Sequence, residues 1–219
     1  METFPSRQEA EELLAWAGEQ NPGMWVDHSR TVGRTADIIA RAGNLDGDKA
    51  YVLGLLHDIG RYEGVGELHH ILVGHILMMK KGYIQNVRIC LTHSFPVKIL
   101  DTYSGKKMDC TETELKFIQD TLASVSYDPY DGLIQLCDAI CLPQGVCLLE
   151  VRLMDVARRH GMNDMTLEKW EAFFALKADF DERCGENIYE LFYEEICKVS
   201  IYGSQQGAAF CPPNKRGLL

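Results

Sequence analysis

A histidine and an aspartate stand side by side in the segment GLLHDIGR, residues 54–61, where an apolar run ends. His57 and Asp58 therefore place an imidazole nitrogen and a carboxylate oxygen close together at the edge of a predicted core. Mixed nitrogen and oxygen donors of this kind bind divalent transition metals, whereas calcium prefers oxygen ligands alone. The doublet indicates a metal site whose other ligands lie elsewhere in the chain.

Three further histidines and one aspartate fall on the apolar sides of predicted helices. These residues are His28, His70, His93 and Asp138. Asp138 shares a helix face with Ile134 and Cys141, so its carboxylate points into apolar surroundings. A buried carboxylate without a partner is costly, and a cation ringed by imidazoles would compensate it. A lone histidine on an apolar face is usually a packing residue, but the combination favours a metal site.

The elements that must position these residues are all predicted to be helices. Helical periodicity covers residues 9–20, 24–42, 49–60, 70–81, 84–93, 111–122, 131–141, 146–160, 165–180 and 186–199. Ser6 with Glu9 and Thr111 with Glu114 have the spacing of capping boxes. Gly60 is predicted to end the helix of the doublet and to supply the turn that lets both side chains reach one ion. Residues 61–68 are predicted to be a loop, and no segment alternates with a period of two.

Composition limits the class of protein. The chain has 219 residues, 46% of them hydrophobic, which suits one substantial core. A net charge of −10 and a pI near 5.2 disfavour a nucleic acid polymer as partner. The start of the chain resembles neither a signal peptide nor a membrane anchor, and no apolar run approaches the roughly 20 residues that span a bilayer. We expect a cytoplasmic protein without a membrane partner.

The segment GLLHDIGR resembles the motif of the HD superfamily of metal-dependent phosphohydrolases. WVDHSRTVGRTADIIAR before it and LIQLCDAI after it also resemble that family, so the resemblance covers residues 22–142. It implies an all-α, HD-domain-like helical bundle with the site between helices, here with additional C-terminal helices. It also implies that a first metal ion is bound by His28, His57, Asp58 and Asp138.

A second ion is implied by two further segments. HHILVGHILMMKKGY and RICLTHSF resemble the parts of the family that contribute its ligands, with His70 and His93 as the candidates. His69 would replace His70 if the helix began one residue earlier. The expected cofactor is one or two divalent ions of iron, manganese, zinc, cobalt or nickel, and the number stays open. His75 and His160 are predicted to be structural or surface residues.

Two residues are expected to act on the substrate. Many family members have a basic residue where this chain has Arg61, and a guanidinium there can neutralise a phosphoryl oxygen. The alternative is an ordinary arginine at a helix end. Asp58 is the expected catalytic residue, because it would hold the ions and orient or deprotonate the attacking water.

Five aromatic residues near loops are candidates for stacking on a base, although such residues more often pack at a rim. They are Tyr62, Phe95, Tyr103, Tyr127 and Tyr130.

The expected function is that of a metal-dependent phosphohydrolase. It would hydrolyse a phosphoester or phosphoanhydride of a small metabolite or nucleotide with a metal-activated water. The cyclic-dinucleotide branch has a GYP motif where this chain has RYEG, which argues against that branch. Two alternatives stay open, a di-iron oxygenase on the same scaffold and a non-catalytic metal-bearing signalling or binding module.

The chain is predicted to form one globule in four parts. Residues 1–21 form a helix packed on the core, residues 22–142 the metal-binding domain, residues 143–200 the C-terminal helices that complete the globule, and residues 201–219 a loose tail. The C-terminal third either covers the substrate pocket or forms the contact of a homodimer.

Overall fold

Helices make up nearly all of the regular structure. The computed structural model describes residues 4–64, 66–105 and 109–199. The α-helices in these ranges are α1 Arg7–Gln20, α2 Met24–Ala42, α3 Gly47–Leu55, α4 His70–Lys81, α5 Ile84–Thr92, α6 Glu112–Ser124, α7 Pro129–Ile140, α8 Leu149–His160, α9 Thr166–Cys184 and α10 Tyr193–Lys198. Short 3-10 segments lie at Ile59–Glu63, Leu100–Thr102 and Ile188–Phe192. The predicted all-α class is confirmed, and the tail predicted at residues 201–219 lies outside the described residues.

Side-chain caps fix where several helices begin. Ser6 and Glu9 form the predicted capping box at α1, since the Glu9 carboxylate accepts from the Ser6 amide at 2.8 Å and the Ser6 hydroxyl accepts from the Glu9 amide at 3.3 Å. Thr111 and Glu114 form the box predicted at α6. A further box begins α7, where Asp128 precedes Pro129, so this helix begins two residues before the predicted start.

Two predicted elements differ from the structure near the C-terminus. The helix predicted over residues 186–199 is divided into the 3-10 segment Ile188–Phe192 and the short helix α10. Ile188 and Phe192 are both buried, and the Ile188 amide donates to the carboxylate of Asp181 at 2.8 Å, so tertiary contacts replace helical hydrogen bonds. The sequence also did not predict the hairpin of β1 Cys141–Leu142 and β2 Gly145–Val146 that follows α7.

Three groups of buried side chains form the core, and the metal-site candidates lie on the helices that these groups hold together. The first group joins α2 and α7 to α8 and α9, the second joins α1, α3 and α4, and the third joins α4, α5 and α6. None of the helices in the described ranges combines the length and apolar character needed to cross a bilayer.

Candidate metal centre

The structure brings together the six side chains that the sequence suggested as metal ligands. His28 lies on α2, His57 and Asp58 on the turn after α3, His70 at the start of α4, His93 directly after α5, and Asp138 on α7. Their donor atoms form three overlapping groups, each with all its atoms within 4.8 Å of one another. The groups are His28 with His57 and Asp58, His57 with His93 and Asp138, and Asp58 with His70 and His93. His57, Asp58 and His93 each belong to two groups and form the middle of the centre.

Close contacts between backbones position the doublet. A Cβ atom on Gly54 would lie 3.0 Å from the Cα atom of Gly33, so α3 crosses α2 at a distance that glycine allows. Helix α3 ends at Leu55, and the prediction that Gly60 supplies the turn after the doublet is wrong. Gly60 instead faces α4, where a Cβ atom would overlap the carbonyl oxygen of His70. The glycine therefore lets the segment after Asp58 reach the backbone of α4.

Asp58 lies between the histidines of two groups. Its Oδ1 atom is 3.0 Å from Nε2 of His70 and 3.6 Å from Nε2 of His93. Its Oδ2 atom is 3.8 Å from Nε2 of His57 and accepts a hydrogen bond from Nε of Arg61 at 2.6 Å. Burial by itself raises the pKa of Asp58, but the charges of Arg61, His57 and His70 outweigh it and hold the pKa well below its usual range. Asp58 is therefore a buried carboxylate anion.

Asp138 occupies the other end of the centre. Its Oδ1 atom is 3.0 Å from Nε2 of His28 and 3.7 Å from Nε2 of His57. Burial opposes ionisation of this carboxyl as well, yet the two histidines hold its pKa well below the usual range. Imidazole centroids are 5.3 Å apart for His28 and His57, 4.9 Å for His57 and His93, and 5.6 Å for His93 and His70. Four rings thus form a continuous row that connects the two carboxylates.

Three of these rings are oriented by main-chain carbonyls. Nδ1 of His57 is 2.7 Å from the oxygen of Gly54, and Nδ1 of His93 is 3.0 Å from the oxygen of Cys90. Nδ1 of His70 makes the same kind of bond to the oxygen of Glu67. A carbonyl oxygen can only accept, so in the neutral form of each ring Nδ1 carries the proton and the lone pair stays on Nε2. Metal-binding histidines are held in this way in proteins.

A divalent cation fits the donor atoms of the centre. Nε2 of His57 and Nε2 of His70 are buried and make no well-directed hydrogen bond to the residues that the structure describes, although Oδ1 of Asp58 is 3.0 Å from Nε2 of His70. Buried polar atoms are rarely left unpaired, and both nitrogens face carboxylate oxygens that are anionic. Neutral imidazoles and carboxylates are the ligand set of transition metals such as iron, manganese and zinc. The buried histidines and aspartates could therefore hold a metal ion.

The protonation of the histidines differs across the centre. Burial and the neighbouring charge of His57 lower the pKa of His93 to about 3, so His93 is neutral at physiological pH. Burial also disfavours a charged His57, but the negative charges of Asp58 and Asp138 prevail and raise its pKa. The two carboxylates therefore favour positive charge at this point of the centre.

Arg61 lies beside the centre and is half-buried. Besides its bond to Asp58, its Nη1 atom is 3.2 Å from the carbonyl oxygen of Gly66, and its own carbonyl accepts from Asn21 at 2.7 Å. The guanidinium therefore stabilises the charge of a candidate ligand. Arg61 also lines the cavity next to the centre, as a residue that binds substrate must.

The other predicted histidines lie outside the group. His69 is close to Glu114 at 3.3 Å on the protein surface, so His70 is the member of this pair that lies beside Asp58. His75 is buried against Phe117, away from the carboxylates. His160 is exposed at the mouth of the cavity.

The cavity beside the centre has a volume of about 720 Å³ and is lined by residues that the sequence did not identify. They include Trp25, Arg152, Arg159, Lys169 and Trp170. Trp25 lies one helical turn before His28, a spacing that could have pointed to it. Residues of α8 and α9 carried no such signal, because only the tertiary fold brings these helices to the site. Of the aromatic residues suggested for base stacking, Tyr103 lines the cavity, whereas Phe95 is fully buried.

Comparison with protein families gives one result that bears on this centre. The model of the HD domain family matches residues 25–140, more than half of the 219-residue chain. Neither the comparison with curated proteins nor the comparison with solved structures gives a match. The matched range contains all six side chains of the candidate centre and Arg61. The protein belongs to the HD domain family.

Proposed function

We propose that this protein is a metal-dependent phosphohydrolase that cleaves a phosphoester or phosphoanhydride of a small metabolite or nucleotide. The observation that carries the proposal is the buried group of four histidines and two aspartates, which borders a cavity with an arginine in its wall. Membership of the HD domain family supports the same class of reaction. The compartment that we propose is the cytoplasm.

In a binuclear centre the six side chains would be divided between two ions. A first divalent ion would be held by His28, His57, Asp58 and Asp138, and His70 and His93 would hold a second together with Asp58. The sharing of Asp58 between two of the three donor groups supports a binuclear centre. When bound, divalent ions of iron, manganese, zinc, cobalt or nickel make hydroxide available near neutral pH and polarise a phosphoryl oxygen.

Asp58 would orient the attacking water. Its carboxylate is held from one side by Arg61 and lies within 3.0 Å of His70, so its position is fixed before substrate binds. A carboxylate with a pKa well below the usual range is a weak base. It contributes mainly by accepting a hydrogen bond that directs the water toward phosphorus.

Arg61 would bind the phosphoryl oxygens of the substrate. Its Nε atom is used by Asp58 and its Nη1 atom by Gly66, but Nη2 has no hydrogen-bond partner in the described parts of the chain. A guanidinium that donates to phosphoryl oxygens stabilises the negative charge of the transition state.

The cavity favours a small substrate. A volume of about 720 Å³ is within the range of pockets for small molecules and nucleotides. Trp25 and Trp170 line it, and the indole nitrogen of Trp25 donates to the carbonyl oxygen of Asn21 at 2.8 Å, which fixes that ring. The net charge of −10 disfavours a nucleic acid polymer.

Phosphate release from a panel of phosphomonoesters, nucleotides and dinucleoside polyphosphates tests this proposal. The protein is first stripped of metal and then supplied with one divalent metal at a time. We expect release only with added metal, and we expect Asp58→Ala to lower it by at least about a hundredfold. His75→Asn is the control, because it changes a buried histidine outside the centre and should leave release unchanged.

Two results would contradict the proposal. Oxygen consumption with an organic substrate, without phosphate release, would favour the di-iron oxygenase. Bound metal with neither reaction would favour the binding module.

A further inference from the structure

Lys169 contributes an ammonium group to the cavity wall. It lies in the first turns of α9, outside the residues matched by the HD domain family, and it lines the cavity that borders the metal centre. Its Nζ atom is 3.4 Å from the hydroxyl oxygen of Ser104 and 5.8 Å from the centre of the Phe173 ring. An ammonium group has three N–H donors, and these contacts use one of them.

The ammonium group of Lys169 has no carboxylate within 4.0 Å in the described ranges of the chain, which distinguishes it from the other cations of the cavity. Arg61 is bound to Asp58. Arg152 and Arg159 both contact Asp155, at 3.5 and 3.0 Å. Each of these arginines thus lies beside a carboxylate, with Arg152 and Arg159 sharing that of Asp155, whereas Lys169 lies beside none among the residues that the structure describes.

Lys169 is half-buried in the cavity wall, and the partial loss of water disfavours its charged form. This burial lowers the pKa of Lys169 to about 8, although the charge of Asp138 opposes the shift. The group is still mainly protonated at neutral pH, so the wall keeps a positive charge that is poorly solvated. An anion that enters the cavity would restore the interactions that the ammonium lost when the protein folded.

We propose that Lys169, assisted by Ser104, binds a second and non-reacting anionic group of the substrate, a carboxylate or a further phosphate. This inference rests on the proposed function, because it assumes that the reacting phosphoryl group lies at the metal centre. The substrate class becomes a small phosphorylated compound with two anionic groups. Helix α9 then selects the substrate, while the family-matched helices carry the reaction.

Binding of non-hydrolysable phosphonates to the manganese-loaded protein tests the proposal without turnover. Isothermal titration compares alkane diphosphonates of two to six methylene groups with alkylphosphonates of the same lengths. The variants are Lys169→Met, which keeps the length of the side chain without its charge, and Lys169→Arg, which keeps the charge. Lys116→Met is the matched control, because Lys116 is exposed on α6, away from the cavity.

We expect at least one diphosphonate to bind the wild-type protein about tenfold more tightly than its alkylphosphonate, the gain typical of one charge-assisted hydrogen bond. In Lys169→Met the gain should fall to about twofold, the statistical advantage of two identical ends. Lys169→Arg and Lys116→Met should keep it, and alkylphosphonate affinity should be equal in all four proteins.

The outcomes separate this inference from the proposed function. If alkylphosphonates bind but no diphosphonate binds more tightly, or if the gain survives in Lys169→Met, the second anion site is overturned and the phosphohydrolase proposal stands. If the metal-loaded protein binds neither series, both are overturned.

Discussion

At the scale of single residues, two contacts together distinguish the candidate metal ligands among the histidines: a main-chain carbonyl at Nδ1 and a carboxylate near Nε2. His57, His70 and His93 each donate Nδ1–H to a main-chain carbonyl and direct Nε2 toward Asp58 or Asp138. His75 also bonds a carbonyl, that of Val87, at 3.2 Å. It lies against Phe117 rather than beside a carboxylate, so a ring fixed at Nδ1 is not by itself a ligand.

His75 gives a prediction about pH and stability. Burial lowers its pKa below the ordinary value of 6.5, so the unfolded chain binds a proton more readily than the folded protein. The free energy of unfolding should therefore fall as pH drops below about 6.5 and titrates this group. His75→Asn keeps the hydrogen bond to Val87 but cannot titrate, and we expect a smaller loss of stability between pH 6.5 and pH 5.

Chemical unfolding of both proteins at a series of pH values measures this difference. Both proteins are stripped of metal, so that metal release at low pH does not contribute to the comparison. Equal losses of stability in the wild-type protein and the variant would show that His75 is not a source of the pH dependence.

The burial of a candidate ligand was predictable from the sequence where its side chain lies on a regular helix. The apolar faces around His28 and Asp138 pointed to burial, and the structure brings both residues to the same site. The surroundings of Lys169 were not predictable, because its contact with Ser104 and the lack of a carboxylate beside it among the described residues do not follow from residues near it in the sequence.

At the scale of elements, glycines set how closely the helices approach. Gly33 and Gly54 let α2 and α3 cross with their backbones in contact, which brings His28 near His57. Gly60 does the same between the 3-10 segment and α4, which brings Asp58 to His70.

Gly60→Ala should therefore damage both stability and metal binding. The added methyl group would overlap main-chain atoms of α4, which cannot move away as a flexible side chain can. We expect a loss of about 3 kcal/mol or more in the free energy of unfolding. Thermal and denaturant unfolding measure this loss, and titration with manganese measures the weaker binding.

Gly66→Ala is the matched control. A Cβ atom there would meet no main-chain atom closer than 3.9 Å and a side-chain oxygen of Asp109 at 3.3 Å, so a displacement of a few tenths of an ångström relieves the contact and the cost should be about 1 kcal/mol or less. Similar losses of stability in the two variants would mean that the close backbone contact at Gly60 is not what destabilises Gly60→Ala.

Helix positions were largely predictable and their ends less so. Helical periodicity predicted α2 and α4 with their observed bounds, and the capping box of Thr111 and Glu114 predicted the start of α6. The helix of the doublet was predicted to continue to residue 60, but it ends at Leu55. Apolar residues continue past that end, so the sequence pattern does not show that the backbone changes direction.

At the scale of the whole molecule, the C-terminal helices share the core of the family-matched helices. Phe173 and Phe180 of α9 are buried in the same group of side chains as Val32 and Ile134. Sequence patterns predicted α8 and α9 as amphipathic helices but not where their apolar faces dock. That docking depends on contacts between residues far apart in the chain.

Phe180→Ala tests whether the two parts form one cooperative unit. Phe180 is 1% exposed, and we expect its truncation to lower the free energy of unfolding by about 3–5 kcal/mol in a single transition. Phe174→Ala on the same helix is the control, since Phe174 is 39% exposed and should cost about 1 kcal/mol or less. Separate transitions for the two parts in calorimetry would contradict a shared core.

Metal content measured by elemental analysis tests the central claim most directly. Wild-type protein, His57→Ala and the control His75→Ala are purified without added metal, incubated with manganese, iron, cobalt, nickel or zinc, and freed of excess ions. We predict one or two ions per chain in the wild-type protein and in His75→Ala, and loss of metal in His57→Ala while its circular dichroism stays helical. No bound metal in the wild-type protein, or equal metal in a folded His57→Ala variant, would contradict the claim that these histidines and aspartates form a metal centre.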